Sequence, residues 1–293
     1  MTYQGIDTAA RITAEQATKL AKNGIAFAGR YLVPLGMGKE ITDAEIETLQ
    51  KAGLAILLCW EVGAEAVKKG AAQGVHDATR AKDLAQAFGV PTGTCIYFAA
   101  DYNVPQADYI QCEQYMLAAR SALGSKYEAG LYGPRGIVDF LSSRRSCRKF
   151  WQCVAWSNGF SESATVQQYA WQGDQRAKEM AAKTGILAVD LDQTDDMRGA
   201  GLWMPNFTEY DDGEGGTIIE PSKPSAQAKP WYADAMEWAE KTGLIRDGRP
   251  LDNLTRAEMA TILQRYDAVL EQKVLEAVMR RLPDDDSLGG LIG

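Results

Sequence analysis

Eight short apolar runs rich in Ile, Val, Leu, Phe and Tyr recur through roughly the first 200 residues, with amphipathic stretches between them. Runs of this length alternating with segments of helical period are the pattern of repeated βα units, whose strands pair side by side because each crossover returns the chain to the same end. The pattern predicts strands at 3–7, 25–30, 54–61, 95–101, 128–132, 150–156, 165–171 and 187–192, and helices at 13–23, 42–52, 71–88, 106–123 and 134–141. Several of those helices have a glycine stop just past their last turn. Eight strands in so few residues fit an α/β fold of the compact (β/α)8 TIM-type barrel better than an open doubly wound sheet. No G-x-G-x-x-G follows the first strand to suggest a dinucleotide cofactor.

The barrel is expected to occupy residues 1–204. The stretch 205–230 is rich in Gly, Pro, Ser and acids, has no periodicity and reads as a linker. Residues 231–293 read as a small all-α C-terminal module: a helix, a Gly stop, and a second helix capped by Thr255 with Glu258 three positions on, a capping box. Continuing that helix places Ile262, Tyr266, Val269, Val278 and Leu282 near one stripe, more apolar surface than so small a unit hides by itself. Packing against the module's first helix and self-association as a homo-oligomer are the two ways to cover it.

Charge and residue counts remove several function classes. The net charge of −8 works against nucleic acid and against an anionic membrane surface as partners. The sequence shows neither a signal-peptide pattern at its start nor a run of about 18 apolar residues. Five scattered cysteines, an odd number, read as reduced and buried. His76 is the single histidine, so a Ser-His-Asp triad, a Cys-His peptidase or a multi-histidine zinc site would have to use it. It lies in a helical pattern, where a surface or packing role is the ordinary reading. No metal and no cofactor is called for.

Carboxylates, by contrast, stand where such a barrel does its chemistry, at the strand ends. The first strand ends at Asp7, the third at Glu61, the fourth at Asp101, and the eighth offers Asp190 and Asp192, which share a direction because they are two residues apart. Acids crowded around one mouth push each other's pKa values apart, leaving one protonated and another ionised. That division is the minimum apparatus for hydrolysing a glycosidic bond, and it needs no metal. Tyr31, Trp60, Tyr132, Trp156 and Gln168 fall at the same rim, where flat rings and carboxamides suit a sugar. Arg30, ending the second strand, is expected to pair with a rim carboxylate and hold it ionised.

The pieces "GIDT", "FAGRYL", "YFAAD", "GLYG" and "AVDLD", in that order along residues 1 to about 203, resemble the bacterial glycoside-hydrolase-like domain related to the family 25 lysozymes. The resemblance implies a muramidase-like attack on the β-1,4 bonds of peptidoglycan, with Asp7 and Asp190 on the family's first- and eighth-strand aspartates. It also shows a departure: the family's fourth-strand Asp-x-Glu falls on Ala99 and Asp101, so the general acid is a shorter side chain. Glu61, which recurs in the glycoside-hydrolase-like group, is the other candidate acid. A noncatalytic wall-carbohydrate-binding barrel is the alternative, with Ala99 as its mark. The tail pieces "WYADAMEWAEKTGLI" and "LTRAEMATILQR" resemble the S-layer homology module, which implies a secondary wall polymer as a further partner. Together these resemblances imply a phage endolysin, held in the host cytoplasm until holin-mediated release and acting at the cell wall, with a host autolysin secreted by a nonclassical route as the other reading.

Overall fold

The computed structural model describes residues 2–205. The linker and helical module expected at 205–230 and 231–293, with the apolar stripe and the capping box, lie outside the described residues except for position 205. Within them, eight strands close into a barrel in sequence order: β1 (Tyr3–Asp7), β2 (Ile25–Tyr31), β3 (Ala55–Trp60), β4 (Cys95–Ala99), β5 (Glu128–Gly133), β6 (Lys149–Gln152), β7 (Val166–Ala170) and β8 (Asp190–Thr194). Helices α1 (Ala14–Lys22), α2 (Asp43–Lys51), α3 (Ala71–Ala87), α4 (Tyr109–Leu123) and α5 (Arg135–Ser143) follow β1 to β5, and α6 (Gln175–Thr184) follows β7. Local chemistry sets their starts. Thr13 closes a capping box with Gln16, and Thr42 accepts from the backbone of Glu45.

Two features depart from the regular eightfold barrel expected from the sequence. No helix separates β6 from β7, which are joined by a loop yet still pair in parallel. More consequentially, β8 runs antiparallel to both neighbours. The excursion through α6 brings the chain back to the rim it left, because Ala170 at the end of β7 pairs with Leu191 near the start of β8. The strand expected at 187–192 therefore begins later, and Leu187 is 95% exposed instead of lying in the sheet. Asp190 opens its strand where it was expected to close one. Reversal nevertheless leaves it at the same rim, directly across from Asp7.

Side-chain alternation splits the interior into two shells. Phe27, Leu57, Tyr97, Trp151 and Val166 fill the barrel itself, while Ile6, Ile56, Leu58, Trp60, Phe98, Leu131 and Phe150 pack outward against the helices. The segment after β8 closes the bottom. Ala200 and Leu202 enter the inner shell, the Tyr97 hydroxyl donates to the Ala200 carbonyl at 2.7 Å, and Trp203 exchanges backbone hydrogen bonds with Ile56. Gly201 is required there: its φ is +71°, and a Cβ would stand 2.6 Å from that of Cys95. All five cysteines are buried free thiols. His76 is exposed on α3 beside Asp77, as a surface helical histidine would be. No helix among the described residues is long and apolar enough to cross a membrane.

Candidate active site

Asp7 closes β1 and faces the barrel interior, with Gly29 of β2 as its pairing partner on one side and Asp190 of β8 on the other. Gly29 makes the position available, since a Cβ there would lie 2.7 Å from the Asp7 Cβ and 3.2 Å from the Trp151 ring. A single carboxamide ties the acids together. Gln168 Nε2 on β7 donates to Oδ2 of Asp7 and to Oδ2 of Asp190, both at 3.0 Å, while its Oε1 accepts from the Val154 backbone at 3.2 Å. The other oxygen of Asp190 accepts from the Gln172 backbone N–H at 2.6 Å.

One layer deeper, Asp192 is fully buried and its Oδ1 accepts from the Trp151 indole at 2.8 Å. Its Oδ2 meets no donor among the described residues and lies against Asp7. Two ionised carboxylates are untenable in that contact. Burial and the Asp7 charge push the Asp192 carboxyl well above the usual range, so it keeps its proton and donates to Asp7. Asp7 is pushed up to about 6, chiefly by burial and against the pull of the Gln168 and Asp192 hydrogen bonds. Burial and the nearby Asp7 charge raise Asp190 to about 7. Three aspartates thus titrate as one assembly, and their proton losses belong to the cluster as a whole.

Across the mouth, Tyr31 ends β2 inside the barrel with the Lys39 ammonium 4.4 Å from its ring centroid. Lys39 also pairs with Glu61, just past β3, at 2.8 Å. Asp101, two residues past β4, feels that Glu61 charge, which together with burial raises its pKa against the opposing pull of Lys39. The charges of Asp7 and Asp101 reach one another, and both reach Tyr31, whose hydroxyl burial and these anions keep protonated. Ala99 also faces inward, at the position where the resembled fourth-strand motif carries an aspartate. Tyr132 lies edge-on to Trp151 with centroids 4.5 Å apart, walling the mouth between these groups.

Asp7, Glu61, Asp101, Asp190, Tyr31, Tyr132 and Gln168 are therefore gathered at one rim. Three residues expected with them are not in reach of a ligand. Arg30 is fully buried on the helix side of β2, where it makes a two-toothed pair with Glu45 of α2 at 2.7 and 3.2 Å and donates to the carbonyls of Thr8 and Lys39. It braces the barrel against α2 and forms no ion pair with a rim acid, although its charge reaches Asp7 and opposes the rise of that carboxyl's pKa. Trp60 likewise points outward and is 2% exposed in the outer core. Asp192 lies beneath Asp7, sealed from solvent. Trp156 lies past the end of β6, on the β6–β7 loop, half exposed and with φ +55°, a costly backbone state for a bulky side chain. Lys39, Gly29 and Trp151 belong to the site and were not foreseen. Cavities of about 280 and 350 Å³ lie elsewhere, around Thr2, Thr165 and Thr194 and around Ser142, Arg145 and Arg148. Among the described residues no group of three or more His, Cys, Asp and Glu side chains is arranged to hold a metal ion.

Compared with known protein families, the chain matches the Rv2525c-like, glycoside hydrolase-like domain over residues 18–196. It belongs to that family. Two Bacillus subtilis (strain 168) relatives carry no assigned activity in their names: Uncharacterized protein YbfG is 34% identical over 211 residues, and Uncharacterized protein FadG 29% over 198. The matches cover 65% and 64% of this chain, which spans only 28% and 34% of those longer proteins. The Mycobacterium tuberculosis Tat-secreted protein Rv2525c, crystallised with L-tartrate, is similar in structure at a TM-score of 0.58 and 25% identity, over 69% of this chain and 98% of that one. An uncharacterized B. stearothermophilus protein shares the fold at a TM-score of 0.51 and 19% identity.

Within this Rv2525c-like domain the mouth divides into two chemical halves. One holds a proton reservoir, Asp7, Asp190 and Asp192, locked by Gln168 and Trp151. The other holds Asp101 and Glu61 under the control of Lys39. Carboxyl groups raised by burial on both sides of one mouth are suited to general acid–base work on a bond held between them. Exposed Leu35, Met37, Val62, Trp156, Phe160 and Trp171 all stand on loops that leave the strands at this rim, an apolar margin suited to the faces of sugar rings.

Proposed function

We propose that this domain hydrolyses glycosidic bonds in bacterial cell-wall glycan, the β-1,4 linkages of peptidoglycan being the substrate. The observation that carries the reading is the Gln168 bridge, which fixes Asp7 and Asp190 together opposite Asp101. Glu61 is engaged by Lys39, an arrangement suited to a carboxylate rather than to a proton donor. Asp101, raised by burial and by its neighbour, is then the general acid that protonates the leaving oxygen. Asp7, at one end of the Gln168 bridge, faces the oxocarbenium-like charge that develops as the bond breaks, and Asp190 supports it through the shared carboxamide. With Ala99 supplying no second acid on β4, the acetamido group of an N-acetylated sugar is a suitable internal nucleophile. Half-exposed Trp156 and Trp171 offer stacking faces for the sugars. The family relative Rv2525c is Tat-secreted, a route that delivers a protein to the side of the membrane where wall glycan lies.

Purified peptidoglycan incubated with the full chain tests this directly. Glycosidase action releases new reducing ends. Release of free amines would instead mark peptide or amide cleavage, and glycan retention with no release of either would mark a binding protein.

A further inference from the structure

Four of the six residues 144–149, between α5 and the first residue of β6, are basic, in a chain of net charge −8. Two of them are neutralised in place: Arg144 Nε pairs with Glu113 at 2.7 Å, and Lys149 lies 3.6 Å from Glu128. Arg145 and Arg148 are exposed and meet no carboxylate among the described residues. They line a cavity of about 350 Å³ together with Ser142, Ser163, Cys147 and Phe150. A third guanidinium, Arg120 on α4, is exposed and close enough for its charge to act on the Cys147 thiol in the cavity wall.

The remaining polar atoms point to an acceptor-rich ligand. Ser142 Oγ donates to Ser163 Oγ at 2.8 Å, which leaves the Ser163 hydroxyl hydrogen for a further acceptor. Cys147 is no nucleophile: its thiol donates to the carbonyls of Ala129 and Lys149, and burial pushes it up to about 11. Arg145 has φ +56°, a conformation held by its backbone N–H donating to the Ser142 carbonyl at 3.0 Å. Unpaired guanidiniums around a hydroxyl in a concavity are the donor set for a tetrahedral oxyanion, which accepts paired N–H bonds from each planar fork.

We infer that this cavity binds the phosphate group of a small phosphate ester, at the end of the barrel opposite the carboxylate mouth. Placement favours the assignment, because β6 begins here and ends at the mouth, so an anion at this end is clear of the acids that would repel it. The concave shape takes one phosphate and its substituent rather than a flat anionic membrane, and the overall negative charge opposes a nucleic-acid duplex. The site stands on its arginines and is independent of any glycosidase activity at the mouth.

Calorimetric titration of the full chain with sn-glycerol 3-phosphate, with inorganic phosphate, and with phosphatidylcholine vesicles containing phosphatidylglycerol tests it. Glycerol 3-phosphate is expected to bind, more weakly as sodium chloride is raised. Arg145→Asn, which tolerates the left-handed backbone, and Arg148→Gln are each expected to weaken binding at least about tenfold. Arg148→Lys keeps the charge without the fork and is expected to fall between, which separates recognition from damage to the fold. Absence of heat with both phosphates, unchanged affinity in the variants, or binding confined to the vesicles would overturn the assignment.

Discussion

Lys39 Nζ lies 2.8 Å from a Glu61 oxygen while resting over the Tyr31 ring, so one side chain joins the loop after β2 to the end of β3. That pairing places a positive charge beside two carboxylates and lowers the pKa of Asp101, against the raising effects of burial and of Glu61. Lys39→Met removes the opposing pull. The alkaline limb of the pH–rate profile on wall glycan is then expected to move to higher pH by roughly half a unit to one unit. A limb that stays in place would separate Lys39 from the titrating acid.

Asp101 and Glu61 are distinguished by a pair of isosteric changes. Asp101→Asn removes the proton donor and is expected to lower kcat by roughly 10²-fold to 10⁴-fold, with the alkaline limb abolished. Glu61→Gln leaves the donor in place and is expected to keep the limb while lowering activity less. The reverse pattern, measured as reducing-end release across pH, would transfer the acid's role to Glu61.

How much of this was legible in the sequence follows from what each residue's position depends on. Asp7, Asp101 and Asp190 terminate or open apolar runs, and any closed barrel brings such residues to a rim. Arg30 and Trp60 fail on parity. Strands buried on both faces carry no polar alternation to say which residues point inward, and a shift of one residue sends a side chain to the other shell. Arg30 follows Gly29 and Trp60 follows Cys59, both inward-facing, so both turn to the helices. The acid Glu45 on α2 was the available clue for Arg30. The direction of β8 left no mark on its own residues, since Asp190 reaches the same rim from either polarity. Lys39 sits in a loop whose course depends on packing that no local pattern encodes.

The stability of the domain is expected to fall as pH rises, the reverse of ordinary acid denaturation for these groups. Asp7 and Asp190 have folded-state pKa values of about 6 and about 7, above the ordinary aspartate value of 3.8. The folded state therefore binds protons more tightly, and this contribution is fully present below about pH 4 and lost as pH climbs through 6 to 7. Asp190→Asn loses one of the two bonds that the carboxyl oxygens accept, from Gln168 and Gln172, at either pH, and is expected to be more favourable at pH 8 than at pH 4 by on the order of 1–2 kcal/mol, after allowance for its partial exposure. Urea unfolding at the two pH values reads the difference, and equal effects at both would contradict the raised pKa.

The Asp192 contact makes a sharper demand on chemistry. A carboxyl that already carries a proton is imitated by a carboxamide, so Asp192→Asn is expected to go on accepting from Trp151 and to turn an N–H toward Asp7, with the melting temperature nearly unchanged. Asp192→Ala strands the Trp151 N–H and opens a void, at a cost of about 2–4 kcal/mol. Comparable loss in both variants would mean that Asp192 is ionised in the folded state.

Gly29 offers a way to move the site without altering any acid. Its backbone is paired with Asp7 in the β1–β2 ladder, so an added Cβ cannot escape along the strand, and it would stand 2.7 Å from the Asp7 Cβ with the Trp151 ring 3.2 Å away. Something must give, and Asp7, at the open end of its strand, has less holding it than Trp151, which is buried and bonded to Asp192. Gly29→Ala is therefore expected to cost about 1–3 kcal/mol of stability and, by shifting Asp7 out of line with its partners, more than about tenfold in kcat. Gly63→Ala, on the loop after β3 with nothing within 4 Å of its added Cβ, is the matched control and is expected to leave both unchanged. A Gly29→Ala protein that melts early yet turns over glycan at the normal rate would show that the placement of Asp7 does not depend on this contact.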